Sequence, residues 1–188
     1  MIFKPTGLQG AYVIEPERIE DSRGFFARAW CQKEFEKAGL EISFVQCNLS
    51  FNVNKGTVRG MHFQKHPYQE VKLVRCTKGE IFDVIVDLVP TSATYMKWFG
   101  IHLSEKNHKM LYVPKNYAHG YQTLCEGSEV FYQVSQFYVP GSEGGLRWDD
   151  PELAIQWPIT TGLTMSDKDK NWPDFSDAYQ TGGEQMRK

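Results

Sequence analysis

Gly and Pro interrupt this 188-residue chain at short intervals, and the stretches between them are rich in β-branched and aromatic residues. Such punctuation leaves room for many short strands and little helix, the pattern of an all-β sandwich or barrel. Strands are expected over 11–15, 44–50, 71–77, 80–88, 98–103, 109–113 and 128–138. The best helical segment is 32–38, closed by Gly39 just past its C-terminus. A chain of this length suits one domain that buries roughly 70% of its unfolded surface. From Asp174 onward the sequence is polar and aperiodic. The expected organisation is therefore a single domain over 1–173 and a polar tail over 174–188.

Within 80–88, Phe82, Val84, Val86 and Leu88 share one face, while Ile81, Asp83, Ile85 and Asp87 share the other. Acids mixed into an apolar face suit the wall of a ligand-holding barrel. They suit an ordinary sandwich strand with one wet side equally well.

Charge and cysteine usage exclude several classes. With 21 Lys+Arg against 23 Asp+Glu the net charge is -2, without the basic excess of a nucleic-acid binder. Cys31, Cys47, Cys76 and Cys125 are dispersed and form no C-x-x-C pair, which suits reduced thiols in a cytoplasmic protein. The N-terminal stretch reaches Pro5 and Gly7 early and does not read as a signal peptide. No apolar run approaches the ~20 residues that span a bilayer, so neither a membrane nor a nucleic-acid partner is expected.

Among the five histidines, His66, His102 and His108 lie in polar stretches and read as surface residues. His62 and His119 instead sit in short extended segments beside glycines, Arg59-Gly60-Met61-His62-Phe63-Gln64 and Pro114-Lys115-Asn116-Tyr117-Ala118-His119-Gly120. The second resembles half of the cupin pattern, with Asn116 at a turn position usually held by Gly. A metal-binding cupin would need a His-x-His pair, and here Gln64 follows His62-Phe63, so a metal-free barrel is expected.

Further segments make the resemblance specific: Asp21-Ser22-Arg23-Gly24-Phe25-Phe26, Gln46-Cys47-Asn48-Leu49-Ser50, Lys72-Leu73-Val74, Trp148-Asp149-Asp150-Pro151 and Ser166-Asp167-Lys168-Asp169. Together with the two histidine segments and 82–87, the sequence resembles the dTDP-4-dehydrorhamnose 3,5-epimerase family from near its N-terminus to about Asp174. The resemblance implies a cupin-type jelly-roll barrel with few short helices, a homodimer, and no cofactor. It implies a nucleotide-linked 4-keto-6-deoxyhexose as substrate, epimerised at C3 and C5. By position, His62 matches the family's base, Asp169 the carboxylate that orients it, Lys72 the enolate-stabilising cation and Tyr132 the acid.

The chemistry explains why these types belong together. Removing a hydrogen from carbon beside a ketone sends charge to the carbonyl oxygen, so a base needs a cation or donor opposite it. Inversion then needs a proton source on the other ring face. Taken singly, Lys72 also reads as an exposed strand lysine, Tyr132 as strand packing and Asp169 as part of a solvated loop. For the rest of the substrate, the resemblance matches Arg23, Arg59, His119 and Lys168 to groups that hold it. Gln46, Asn48 and Glu143 match further contacts, and Tyr138 matches a tyrosine stacked on the base. Asp83 is a possible supporting group. If 128–138 is one strand, Tyr132 and Tyr138 share a face about 20 Å apart. Arg28 stands where the family usually carries Glu, which leaves the nucleotide base open. Two other readings stay open: a single-centre epimerase and a catalytically silent nucleotide-sugar-binding barrel. A metal-dependent oxygenase is disfavoured by Gln64.

Overall fold

Residues 1–175 are described by the computed structural model. Every residue from Ile81 to Asp87 of strand β8 (Glu80–Asp87) is buried. Neither face is wet, because the strand lies between two hydrophobic layers. Phe82, Val84 and Val86 pack outward under Leu146, Leu153, Ile155 and Trp157. Ile81 and Ile85 pack inward with Val74, Leu103, Leu111 and Val130.

These layers belong to two antiparallel sheets that make a jelly-roll barrel. One sheet runs β1 (Ile2–Pro5), β2 (Tyr12–Glu15), β10 (Met110–Val113), β7 (Lys72–Lys78), β12 (Ser128–Val134) and β5 (Gln46–Asn52) in spatial order. The other runs β13 (Glu143–Gly145), β6 (Val58–Gln64), β11 (Tyr117–Thr123), β8 and β9 (Trp98–Ser104). A separate hairpin pairs β3 (Arg18–Asp21) with β4 (Gly24–Ala27). Helix α1 (Gln32–Lys37) covers the outside of the first sheet, where Phe35 packs against Ile14, Leu73 and Tyr112. It stops at Gly39, which takes a φ of 70°. The all-β class with few short helices is as expected.

Of the strands not expected as such, β6 and β11 carry His62 and His119. Both β6 and β11 contain an internal glycine, which weakens a strand signature. The glycines are there because the strands touch: a Cβ on Gly60 (φ 134°) would lie 2.5 Å from the Cα of Gly120. In this register His62 stands directly opposite His119.

The expectation over 128–138 runs too far. The strand ends at Val134, and Ser135 then fastens to Val71, just before β7, donating its N–H to the Val71 carbonyl (3.0 Å) and accepting the Val71 N–H on its hydroxyl (2.8 Å). Tyr132 and Tyr138 therefore do not share one strand. Residues 136–139 instead wrap around Gln64, whose amide donates to the Phe137 carbonyl and accepts from the Val139 N–H.

Strand β5 forms the edge of its sheet, and its alternation is inverted. Gln46, Asn48 and Ser50 point into the barrel, where they line its cavity. Leu49 (63% exposed) and Phe51 (52% exposed) point outward. Of the expected tail, Asp174 pairs with Arg147 at 3.1 Å and Phe175 is buried in the outer core of the second sheet. Residues 176–188 of that tail lie outside the described residues.

Candidate active site

The cavity lies at one mouth of the barrel and has two lobes. The larger, about 360 Å³, is lined by Gln46, Asn48, Gln64, Glu70, Tyr138 and Glu143 among others. The smaller, about 250 Å³, takes in Ser50, Arg59, His119, Tyr121 and Asp169. His62, Lys72, Tyr132 and Lys168 line both. Volumes of this order hold small ligands. Inward alternation along β5, β6, β7 and β12 explains how chain segments far apart in sequence deliver side chains to one space.

His62 Nε2 lies 2.6 Å from Asp169 Oδ1. Asp169 comes from the short helix α2 (Asp167–Lys170), whose first turn is capped by Ser166 accepting from the Asp169 N–H at 3.1 Å. The Ser-Asp-Lys-Asp stretch reads as a loop in sequence because a four-residue helix has no apolar periodicity. Burial pushes the Asp169 carboxyl up, but the hydrogen bond and charge of His62, with support from Ser166 and the Gly60 backbone, hold it below its usual range. An ionised carboxylate only accepts, so the shared proton sits on His62 Nε2; in the neutral imidazole this tautomer leaves the Nδ1 lone pair for a base. The Trp172 ring stands edge-on to the imidazole, 6.2 Å away.

Lys72 projects from β7 with only 12% of its side chain exposed, and Glu70 Oε1 lies 3.2 Å from its ammonium. Tyr132 on β12 lines the space between the lobes. Burial raises its pKa first, and the fields of Tyr121 and Glu70 add to this against Arg59. It therefore remains a phenol, able to give a proton, throughout the neutral range.

The outer end of the larger lobe is held by ionic contacts. Lys168 reaches Glu143 at 2.7 Å, and Tyr138 donates to the same carboxylate at 2.9 Å. The Lys168 hydrogen bond leads in holding the Glu143 carboxyl below its usual range. Tyr138 is half exposed, with its ring available at the rim. In the smaller lobe His119 Nε2 lies 2.8 Å from the buried Asp83, and Arg59 donates to Asn52 at 2.8 Å.

Thus the cavity gathers His62, Asp169, Lys72, Tyr132, Gln46, Asn48, Arg59, His119, Tyr138, Glu143 and Lys168. Arg23 and Arg28 are not among its lining residues. Arg23 is 88% exposed at the tip of the β3–β4 hairpin and pairs with Asp21. Arg28 pairs with Glu34 of α1 at 2.9 Å. Glu70 went unassigned in the sequence, although strand alternation puts residues 70 and 72 on one side. Among the described residues, no three His, Cys, Asp or Glu side chains are grouped to hold a metal ion. Nor does any described helix have the length and apolarity to cross a membrane.

Comparison with known proteins gives this cavity a context. The sequence profile of dTDP-4-dehydrorhamnose 3,5-epimerase matches residues 5–177. A dTDP-4-dehydrorhamnose 3,5-epimerase of Methanothermobacter thermautotrophicus is 43% identical over 172 residues, covering 90% of this chain and 92% of the relative. The crystal structure of the Bacillus anthracis enzyme of that name, with TDP and PPi bound, superposes with a TM-score of 0.89 at 42% identity, covering 93% of this chain and 99% of the other. The Legionella pneumophila dTDP-6-deoxy-D-glucose-3,5-epimerase, in complex with dTDP-4-keto-L-rhamnose, gives 0.84 at 36% identity and covers 89% of each chain.

Proposed function

The chain belongs to the dTDP-4-dehydrorhamnose 3,5-epimerase family, and from that premise we infer that it is an isomerase converting dTDP-4-dehydro-6-deoxy-D-glucose to dTDP-4-dehydro-L-rhamnose. The observation that carries the mechanism is the His62–Asp169 hydrogen bond in a cavity that Lys72 and Tyr132 also line.

His62 takes the hydrogen from a carbon flanking the C4 ketone, and the C–H electron pair moves into an enolate. Asp169 stabilises the imidazolium that results. Lys72 donates to the enolate oxygen, a kind of contribution worth on the order of 10²–10³-fold. Tyr132 returns a proton to the opposite face, and the enolate collapses to the ketone with the centre inverted. C3 and C5 both flank the ketone, so one set of groups serves both. Tyr138 stacks on the thymine at the rim. Arg59, His119 and Lys168 hold the diphosphate and sugar oxygens, with Gln46, Asn48 and Glu143 as further polar contacts.

The reading includes a homodimer. Leu49 and Phe51 on the edge strand β5, and Ile19 and Phe26 on the β3–β4 hairpin, are exposed apolar side chains that a second copy would cover. Arg23 and Arg28 would then approach substrate in the partner's cavity. Cytoplasmic residence accords with the four free thiols, Cys31, Cys47, Cys76 and Cys125.

Incubation with dTDP-4-keto-6-deoxyglucose in deuterium oxide, followed by proton NMR, tests the function. Deuterium should enter at C3 and at C5. Exchange at one carbon would make this a single-centre enzyme, and no exchange would leave a binding protein. His62→Ala should abolish exchange while dTDP still binds.

A further inference from the structure

Glu70 is a buried carboxylate inside the catalytic cavity to which the reaction outlined above gives no task. Only 7% of its side chain is exposed. One oxygen lies 3.2 Å from Lys72 Nζ, and the other accepts a hydrogen bond from Gln64 Nε2. Gln64 is itself held firmly: the Tyr68 and Phe137 carbonyls also lie 3.1 and 3.2 Å from Nε2, so its two hydrogens are shared among three acceptors. Its Oε1 accepts from the Val139 N–H and the Ser142 hydroxyl, each at 2.9 Å.

A lysine on a flexible four-carbon stem loses rotamer entropy when it is held, so an unrestrained ammonium is a poor preorganised donor. Oxyanion stabilisation depends on a donor already aimed at the position where charge develops, since misplacement by about 1 Å costs on the order of 10²-fold. A fixed carboxylate beside Lys72 supplies the restraint, and the mostly enclosed setting makes that contact stronger than a surface pair.

We propose that Glu70 is a positioning residue, clamping the Lys72 ammonium against the cavity wall while Gln64 fixes the clamp. The proposal rests on the epimerase reading and on the role assigned there to Lys72. Glu70 acts mainly through Lys72, with which it is in direct contact; its field on Tyr132 is a lesser influence, behind burial and Tyr121.

A double-mutant cycle with Glu70→Gln and Lys72→Met tests it, read by the rate of deuterium entry into dTDP-4-keto-6-deoxyglucose and by dTDP affinity. Glu70→Gln in the otherwise native enzyme should slow exchange about tenfold and leave dTDP affinity within about twofold. In the Lys72→Met background the same change should alter the residual exchange by no more than about twofold, the remnant of its field on Tyr132. Equal slowing in both backgrounds, or native exchange in Glu70→Gln, would overturn the proposal. Should Glu70→Gln not fold, Glu70→Asp keeps the charge but withdraws it by one methylene. It should also slow exchange only when Lys72 is present, and equal effects in both backgrounds would count against the clamp. The wild-type enzyme is the control: absence of exchange there refutes the epimerase reading itself, whereas exchange there with an indifferent Glu70 refutes only the clamp.

Discussion

Replacing Asp169 by Asn preserves the shape of the group facing His62 while deleting its charge. Two effects follow. The amide can present its NH2 to Nε2, which stabilises the tautomer with the proton on Nδ1 and removes the lone pair that the base needs. The imidazolium formed during proton abstraction also loses its counter-charge. For charge centres about 4 Å apart, a pair with an effective dielectric near 20 is worth about 4 kcal/mol. The Asp169 side chain is only 6% exposed, but that of His62 is 39% exposed, so solvent screens part of this value. A loss of about 2.7–4 kcal/mol, or about 10²–10³-fold in kcat, is the expected outcome. Steady-state turnover and deuterium entry should fall together, with dTDP affinity retained by isothermal calorimetry. A folded Asp169→Asn enzyme within about tenfold of wild-type kcat would refute the argument that this carboxylate sets the state of the imidazole.

Three other outcomes are expected. Tyr132→Phe should retain part of the solvent exchange but impair net inversion, seen by NMR as deuterated substrate of unchanged configuration. Tyr138→Ala should weaken dTDP binding by about 10- to 100-fold, the worth of a base–aromatic stack, with a smaller effect on kcat; unchanged affinity would remove the tyrosine from base recognition. The depressed Asp169 pKa predicts a pH-dependent stability. Its ionised form contributes fully above the unfolded value of about 3.9 and loses that contribution as pH falls through the lower folded value. Urea midpoints of wild type and Asp169→Asn should therefore differ near about pH 5 and converge toward about pH 2; an equal gap at both would contradict the linkage.

What the sequence disclosed depended on how long each pattern ran. The strand over 80–88 was legible from its β-branched run, although the acids on one face concealed that both faces are buried, and α1 was legible because Gly39 ends it. The role proposed for His62 was legible only through resemblance, since Gly60, which lets β6 approach Gly120, weakens the strand signature around it. Helix α2 is too short for periodicity, so Asp169 looked solvated until folding carried it over the His62 ring. The overlong strand at 128–138 has a similar cause. Aromatics continue through Phe137 and Tyr138, but the backbone there is captured by the Gln64 amide rather than by a neighbouring strand. Glu70 shares a side with Lys72 by simple alternation, a signal available in the sequence that gains meaning only once the neighbouring Gln64 is known to hold it. Arg23 and Arg28 show the opposite limit: their motif position pointed to the substrate, yet neither lines the cavity of this chain.

The edge strand β5 divides its residues between two independent demands. Positions 46, 48 and 50 line the cavity, whereas 47, 49 and 51 face the outside of the barrel. A shift of one residue in pairing would exchange the two sets, filling the chamber with Leu49 and Phe51 and turning Asn48 to the exterior. The same division separates two surfaces on one strand: substitutions at the odd positions change what the barrel presents outward, and those at the even positions change the chamber's polarity.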